Sequence, residues 1–361
     1  MGKTDAASVE LAAARIDRRL IGNEYWDLTT ALSARGAVLP MAPTKVALRC
    51  SIRRNQAPAL GVAYSDQENV MPHLETHDVK IAFEESGARR GNPVLLLHGW
   101  PDDASTWKAV SSQLRERSFR LIAPYLRGFG GTVFRNDNAS RTANGAVLAT
   151  DAIALMDGLG IERFSVVGHD WGSNIAEALA IGWPDRVDRM ALLSSIPRMG
   201  GLETPPFRQA QRDWYHWFMA TKRGAEAIER DPHGFARIQW DNWSPAGWFD
   251  EATFDDVSKS FDNPDWVAIT LHSYRVRWGE AEPDPQSVWL EERIRETPSL
   301  SLPTLYFQGM EDGVNPPELS EDLYKKFSGP FDRIVLQNVG HFPQREDPET
   351  AARELAIFLQ R

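Results

Sequence analysis

The stretch Val167-Gly168-His169-Asp170-Trp171-Gly172-Ser173 places an acidic residue between two glycines, directly after an apolar run and ahead of a helix-forming segment. This is the frame of a nucleophile elbow, a sharp strand-to-helix turn that lifts its central side chain clear of a sheet. The glycines allow the turn and the close packing it requires, and the N-terminus of the following helix helps to hold a negative charge at Asp170. A plainer reading makes Asp170 a helix N-cap; glycine on both sides, after an apolar strand, favours the elbow. A carboxylate with a pKa of about 3.9 is ionised at neutral pH without help. It is a poor nucleophile toward carbonyls but displaces a leaving group at saturated carbon, which leaves an alkyl ester on the protein. Water must then cleave that ester, so the chain has to supply a base and a pair of N–H donors elsewhere.

Three further stretches supply candidates. His98-Gly99-Trp100-Pro101 directly follows the apolar run PVLLL. A strand end ahead of the first helix provides one backbone N–H of an oxyanion hole in this kind of architecture. Trp100 is placed to give that N–H and Trp171 to give the other, although HGWP alone also reads as an ordinary strand-ending turn. Gly309-Met310-Glu311-Asp312 follows TLYFQ and puts an acid where it can orient a histidine. Asp312, the third residue after the glycine, is preferred over its neighbour Glu311. The strand ending at Ser194-Ser195 carries no carboxylate, so the alternative acid position is not filled. Gly340-His341-Phe342-Pro343 follows RIVLQNVG, and of the eight histidines only His341 succeeds a late strand in this way. Oriented by Asp312, His341 would be the base for ester hydrolysis; the plainer reading is a lone surface histidine.

Positioning these four stretches takes a particular alternation of elements. Strands are expected over Val79 to Glu84, Pro93 to Leu97, Phe119 to Ala123, Phe164 to Val167, Met190 to Ser194, Thr304 to Gln308 and Arg333 to Leu336. Helices are expected over Thr106 to Leu114, Asn144 to Leu159, Ser173 to Ile181, Pro317 to Phe327 and Pro348 to Leu359. Such a rhythm argues an α/β class with a mostly parallel central sheet and helices on both faces. Fully apolar runs such as PVLLL mark strands buried on both sides. The rhythm breaks over 197–300, which is helical, rich in Trp and Pro, and without a buried strand; it reads as a cap inserted over the carboxyl ends of the strands, where active sites form. The core is expected over 71–196 and 301–361. Residues 1–70, apart from a short helical pattern at Ala12 to Leu20, read as a weakly ordered N-terminal extension. The alternatives there are an arm packed on the body, or a segment upstream of a chain that could begin at Met71.

Composition narrows the function. Over 361 residues the formal net charge is −10, with no basic stripe, which argues against nucleic-acid binding. Cys50 is the only cysteine, so neither an intramolecular disulfide nor a cysteine-based metal site can be built. No apolar run approaches the roughly 20 residues of a membrane span. The charged N-terminus lacks a signal-peptide core, and Ala6 leaves the myristoylation pattern incomplete. These features predict a cytoplasmic protein without metal or cofactor, a monomer or homodimer. With 13 Trp the chain has ample aromatic side chains to wall a pocket for a small apolar or aromatic substrate.

From about Pro72 to Arg361, HGWP, GHDWG, GMED and GHFP together resemble the α/β-hydrolase superfamily, in its order of nucleophile, acid and histidine. The aspartate nucleophile resembles the branch of epoxide hydrolases and of haloalkane and haloacetate dehalogenases. This resemblance implies an Asp170–Asp312–His341 triad. For epoxide hydrolases it also implies two cap tyrosines that stabilise the departing alkoxide. Tyr215, in WYHWF, and Tyr274, in SYR, are the candidates, with core or rim aromatics as the plainer reading. For halide release the leaving group would need N–H donors. The Trp171 indole is one, and His216 with Trp217 is similar to a YHW stretch of haloacetate dehalogenases, so both are expected at the substrate. Against halide chemistry, those enzymes follow the nucleophile with an arginine where this chain has Trp171. Haloalkane dehalogenases often carry asparagine where it has Trp100. The reading is therefore epoxide opening to vicinal diols, with dehalogenation as the alternative. A non-catalytic ligand-binding member of the fold is disfavoured because all three triad residues are present, and a serine esterase because Ser173 lies past the elbow tip.

Overall fold

The computed structural model describes residues 71–201 and 204–361. The extension expected over 1–70, with its helix at Ala12 to Leu20, lies outside the described residues. The strands are β1 (His73–Glu75), β2 (Val79–Gly87), β3 (Asn92–Leu97), β4 (Phe119–Pro124), β5 (Val133–Phe134), β6 (Phe164–His169), β7 (Val187–Leu193), β8 (Thr304–Gly309) and β9 (Phe331–Leu336). They form one sheet in the order β1-β2-β4-β3-β6-β7-β8-β9, with β5 beside β2. From β4 to β9 neighbours run parallel; β1, β2 and β5 add an antiparallel edge.

Helices α1 (Lys108–Leu114), α2 (Gly145–Gly158) and α3 (Trp171–Gly182) connect the early strands. The path from β3 through α1 to β4 runs one way across the sheet; the path from β6 through α3 to β7 runs the other. Right-handed crossovers in opposite directions put their helices on opposite faces. The sheet is therefore covered on both sides, which explains why Val94 to Leu97 and all six residues of β8 are buried. The reversal of direction between β3 and β6 opens a crevice at the carboxyl ends of these two strands, the usual ligand position in such sheets. HGWP and GHDWG follow these two strands.

Between β7 and β8 lie α4 (Phe207–Arg212), α5 (Trp214–Ala220), α6 (Lys222–Arg230), α7 (Pro232–Trp243), α8 (Glu251–Ser258), α9 (Trp266–Arg277) and α10 (Val288–Glu296). Specific polar contacts tie this block to the sheet side: Arg141 pairs with Asp265 at 2.9 Å, the Trp240 indole donates to the Pro101 carbonyl at 2.7 Å, and the Trp100 indole donates to Thr270 at 3.0 Å. The chain closes with α11 (Pro343–Glu346) and α12 (Pro348–Gln360). No helix among the described residues is long and apolar enough to cross a membrane.

One expected helix takes another form. Residues 317–327 make two short 3₁₀ turns, Pro317–Ser320 and Leu323–Lys326, instead of a continuous α-helix. The Pro317 carbonyl, which would accept the helical bond from residue 321, is taken by the Ser320 hydroxyl at 2.9 Å and the Arg333 guanidinium at 2.8 Å. Side chains that compete for backbone groups in this way divert a chain from the α-helix.

Candidate active site

Asp170 sits at the junction of β6 and α3 with φ 51° and ψ −111°. A non-glycine residue persists in this sparsely populated region only where its surroundings over-determine it. Here they do: the Asp170 N–H donates to the Leu193 carbonyl at 3.0 Å, and the Ser173 hydroxyl reaches the Gly168 carbonyl at 2.7 Å. The two glycines of the motif are required by close approach. A Cβ on Gly168 would stand 2.1 Å from the Gly172 carbonyl oxygen, and one on Gly172 2.1 Å from the Leu97 carbonyl oxygen. Strand β6, helix α3 and strand β3 thus meet backbone to backbone, and the Trp100 N–H comes to donate to Asp170 Oδ1 at 2.9 Å. Trp171 opens α3, so its N–H has no acceptor within the helix. Burial alone would raise the Asp170 pKa; His341, His169 and the Trp100 amide outweigh it and hold the carboxylate below its ordinary value.

His341 lies in the loop between β9 and α11, with Nε2 3.7 Å from Asp170 Oδ2. Its Nδ1 is 3.0 and 3.2 Å from the two oxygens of Asp312, so an Nδ1–H donates to that carboxylate and leaves Nε2 toward Asp170. Asp312 is itself fixed by the N–H groups of Val314 and Asn315 at 2.8 and 2.9 Å, whereas Glu311 is exposed. Burial by itself would lower the His341 pKa; the charges of Asp312 and Asp170 reverse this and lift it to about 10. The structure therefore brings Asp170, Asp312 and His341 into one constellation.

The histidine loop has supports that the sequence reading did not single out. Glu346 accepts from the N–H groups of Gly340 at 2.6 Å and Phe342 at 2.8 Å and from the Ser244 hydroxyl at 2.6 Å. Ser244 in turn accepts from the His341 N–H at 2.8 Å. His169, inside the elbow motif, donates from Nε2 to the His341 carbonyl at 2.8 Å. Its burial and the adjoining imidazole push it down to about 4, so it stays neutral.

A cavity of about 410 Å³ opens beside Asp170, and Trp171, Tyr215, His216 and Tyr274 line it. Tyr215 comes from α5 and Tyr274 from α9, their rings 5.4 Å apart and near perpendicular. The Tyr274 hydroxyl accepts from the Trp171 indole at 3.3 Å. Burial pushes both phenols well above their ordinary pKa, helped by the Asp170 charge at Tyr274 and by Tyr274, Asp213 and Asp170 at Tyr215, so both remain protonated. The His216 imidazole, kept neutral chiefly by burial, accepts at Nδ1 from the Trp278 indole at 3.3 Å. Two expected pocket residues stand elsewhere. Trp217 is 37% exposed and its indole donates to the Ala210 carbonyl at 3.0 Å, because one residue further along α5 turns the side chain away from the cavity. The Trp100 ring is fully buried behind the cavity, stacked 5.8 Å from Tyr215, and only its backbone N–H reaches the nucleophile. Conversely, Arg198 and Arg277 line the cavity and were not expected there.

Comparison with known proteins agrees with this geometry. A family model described as the alpha/beta hydrolase fold matches residues 92–348. Epoxide hydrolase A of Mycobacterium tuberculosis is 25% identical over 311 residues, covering 79% of this chain and 96% of that protein. Fluoroacetate dehalogenase of a Burkholderia species is 30% identical over 211 residues, 56% of this chain and 67% of that one. The crystal structure of a candidate epoxide hydrolase from Klebsiella pneumoniae superposes with a TM-score of 0.76 at 32% identity, over 81% of this chain and 97% of that one. The sheet order, the turn at Asp170 and these matches agree: the chain is a hydrolase and belongs to the alpha/beta hydrolase fold family.

Proposed function

We propose that the protein opens epoxides to vicinal diols through an ester on Asp170. The observation that carries this reading is the pair of protonated phenols, Tyr215 and Tyr274, lining the same cavity as the ionised Asp170. An Asp170 oxygen attacks an epoxide carbon, the carbon–oxygen bond of the ring breaks, and the departing oxygen takes the proton of a phenol. Esterification removes the Asp170 charge, one of the groups that hold the His341 pKa up. The imidazolium then gives up its proton, which restores the phenol, and becomes a base. Water adds to the ester carbonyl carbon as its proton passes to His341. The oxyanion that forms is stabilised by the Trp100 and Trp171 N–H groups. The tetrahedral centre collapses, the alkoxide leaves with the proton of the new carboxyl group, and Asp170 and the His341 imidazolium are regenerated. One water is consumed and one diol released.

Halide release is the second reading, favoured by the Trp171 indole and by His216, whose buried Nε2 has no hydrogen-bond partner in the cavity. One experiment tests the shared chemistry and separates the two. His341→Gln, mixed with styrene oxide, a bromoalkane or a haloacetate, is followed by intact mass. An adduct on Asp170 with the epoxide, together with diol from the wild type, is the expected result. An adduct only with a halide substrate, with halide release, transfers the assignment to dehalogenation. No adduct with any of them removes the ester mechanism.

A further inference from the structure

The cavity that holds the tyrosines also has a cationic wall. Arg198 follows β7, and Arg277 ends α9, three residues after Tyr274. Both line the cavity beside Asp170 and also a second cavity of about 480 Å³, so they stand where the two adjoin. Among the described residues the buried Nε of each has no hydrogen-bond partner, and no carboxylate forms an ion pair with either guanidinium. Buried polar groups of a folded protein are nearly always bonded, and an exception asks for an explanation.

The nearby acids are otherwise engaged. Glu177 accepts from the N–H groups of Arg198 and Met199, both at 2.8 Å, which fixes the backbone that carries Arg198; its charge acts on the Arg198 side chain without a hydrogen bond to it. Asp213 accepts from Gln209 at 3.1 Å and feels the Arg277 charge without pairing with it. The third cation at this wall, Lys326, donates to the Met199 carbonyl at 2.6 Å. Burial and the adjoining Arg277 charge bring Arg198 down to about 9. A concentration of positive charge in a chain whose net charge is −10 is a local arrangement, not a general property of the surface.

We propose that Arg198 and Arg277 bind a carboxylate on the substrate, so that the enzyme acts on epoxy acids. A guanidinium offers a planar fork of donors that matches a carboxylate, and two of them with unmet donors would hold both of its oxygens. Spacing limits the acid further. Residues three apart on a helix share a face, about 4.5 Å apart along its axis. Arg277 therefore lies one turn from Tyr274, one of the two phenols assigned to the epoxide oxygen. The carboxylate is separated from the reacting carbon by a short aliphatic spacer, and the aromatic wall covers that spacer. The epoxide as reacting group rests on the function proposed above; the carboxylate site does not.

The test has a binding arm and a turnover arm. By calorimetry the wild type is expected to bind hexanoate at least ~10-fold more tightly than hexanamide, the scale of one or two charge-assisted hydrogen bonds. Arg198→Gln/Arg277→Gln is expected to lose that preference, and either single substitution to reduce it should the double variant not fold. In turnover, kcat/KM for 5,6-epoxyhexanoate is expected to exceed that for its methyl ester by a similar factor, and the ratio to fall toward one in the double variant. Equal binding of acid and amide, or a preference that survives both substitutions, overturns the carboxylate site. A preference that holds while neither epoxide gives diol leaves the site standing and overturns only the epoxide reading. In that case 6-bromohexanoate against its methyl ester, scored for halide, replaces the turnover arm.

Discussion

Asp170 and the phenols that share its cavity are held in place by different means. On the sheet side the position of Asp170 is set by backbone: a left-handed φ, two glycines whose Cβ atoms would collide with carbonyl oxygens, and an N–H from Trp100 on the carboxylate. On the cap side Tyr215 and Tyr274 are held by packing, with Trp100, His216 and each other, and Tyr274 also by a hydrogen bond from the Trp171 indole. Backbone constraint tolerates almost no change, because atoms at 2.1 Å cannot coexist. Side-chain packing can be altered piecemeal at modest cost. In the proposed reaction the invariable part, forming and cleaving an ester, lies on the rigid side. The part that selects a substrate lies on the adaptable one.

The sharpest break in this contrast is Asp170→Ala. It should reduce turnover by about 10⁴-fold or more, with the fold retained and no mass adduct in the His341→Gln background. Next comes the cap side: Tyr215→Phe with Tyr274→Phe should cost about 10³-fold in epoxide opening, within the range of general-acid catalysis. Each single change should cost less, since the other phenol remains. Turnover close to wild type in the double variant would remove the assigned role. Gly172→Ala should lower stability by about 3 kcal/mol, measured by urea unfolding, although it adds one methyl group and touches no charge. A cost comparable to that of a tyrosine substitution would erase the distinction between the two sides.

The gentlest probe is pH. His341 has its pKa raised from 6.5 to about 10 by Asp312 and Asp170. Its protonated form is thus favoured in the folded state, and the stability it contributes is complete below pH 6.5 and declines as pH rises toward 10. Urea unfolding between these values should show a decline in the wild type that is flattened in His341→Gln. Parallel profiles would place the source of the decline elsewhere.

The same contrast explains what could be read from the amino-acid sequence. GHDWG is legible because close backbone approach demands glycine, and this leaves a spaced signature. Asp312 was separable from Glu311 by its offset from Gly309, and it is Asp312 that the structure places against His341. Strand positions followed from apolar runs, whereas residues 317–327 turned on whether Ser320 and Arg333 would capture one carbonyl. On the cap, composition points to aromatics but not to the phase of each helix. Tyr215 and His216 face inward while Trp217, the next residue, faces out. Arg277 was recoverable in principle, three residues after a tyrosine already singled out. Arg198 carries no motif, and only the folded chain brings it to the cavity.

Trp100 touches both sides at once. Its N–H holds the nucleophile and its indole holds Thr270 of the cap, 170 residues further along the chain. Loss of the cap contact on warming would therefore loosen the donor on Asp170 as well. Heat inactivation and melting of the two halves should coincide as one event, and a version of the enzyme trimmed of its cap would lose the chemistry along with the selectivity.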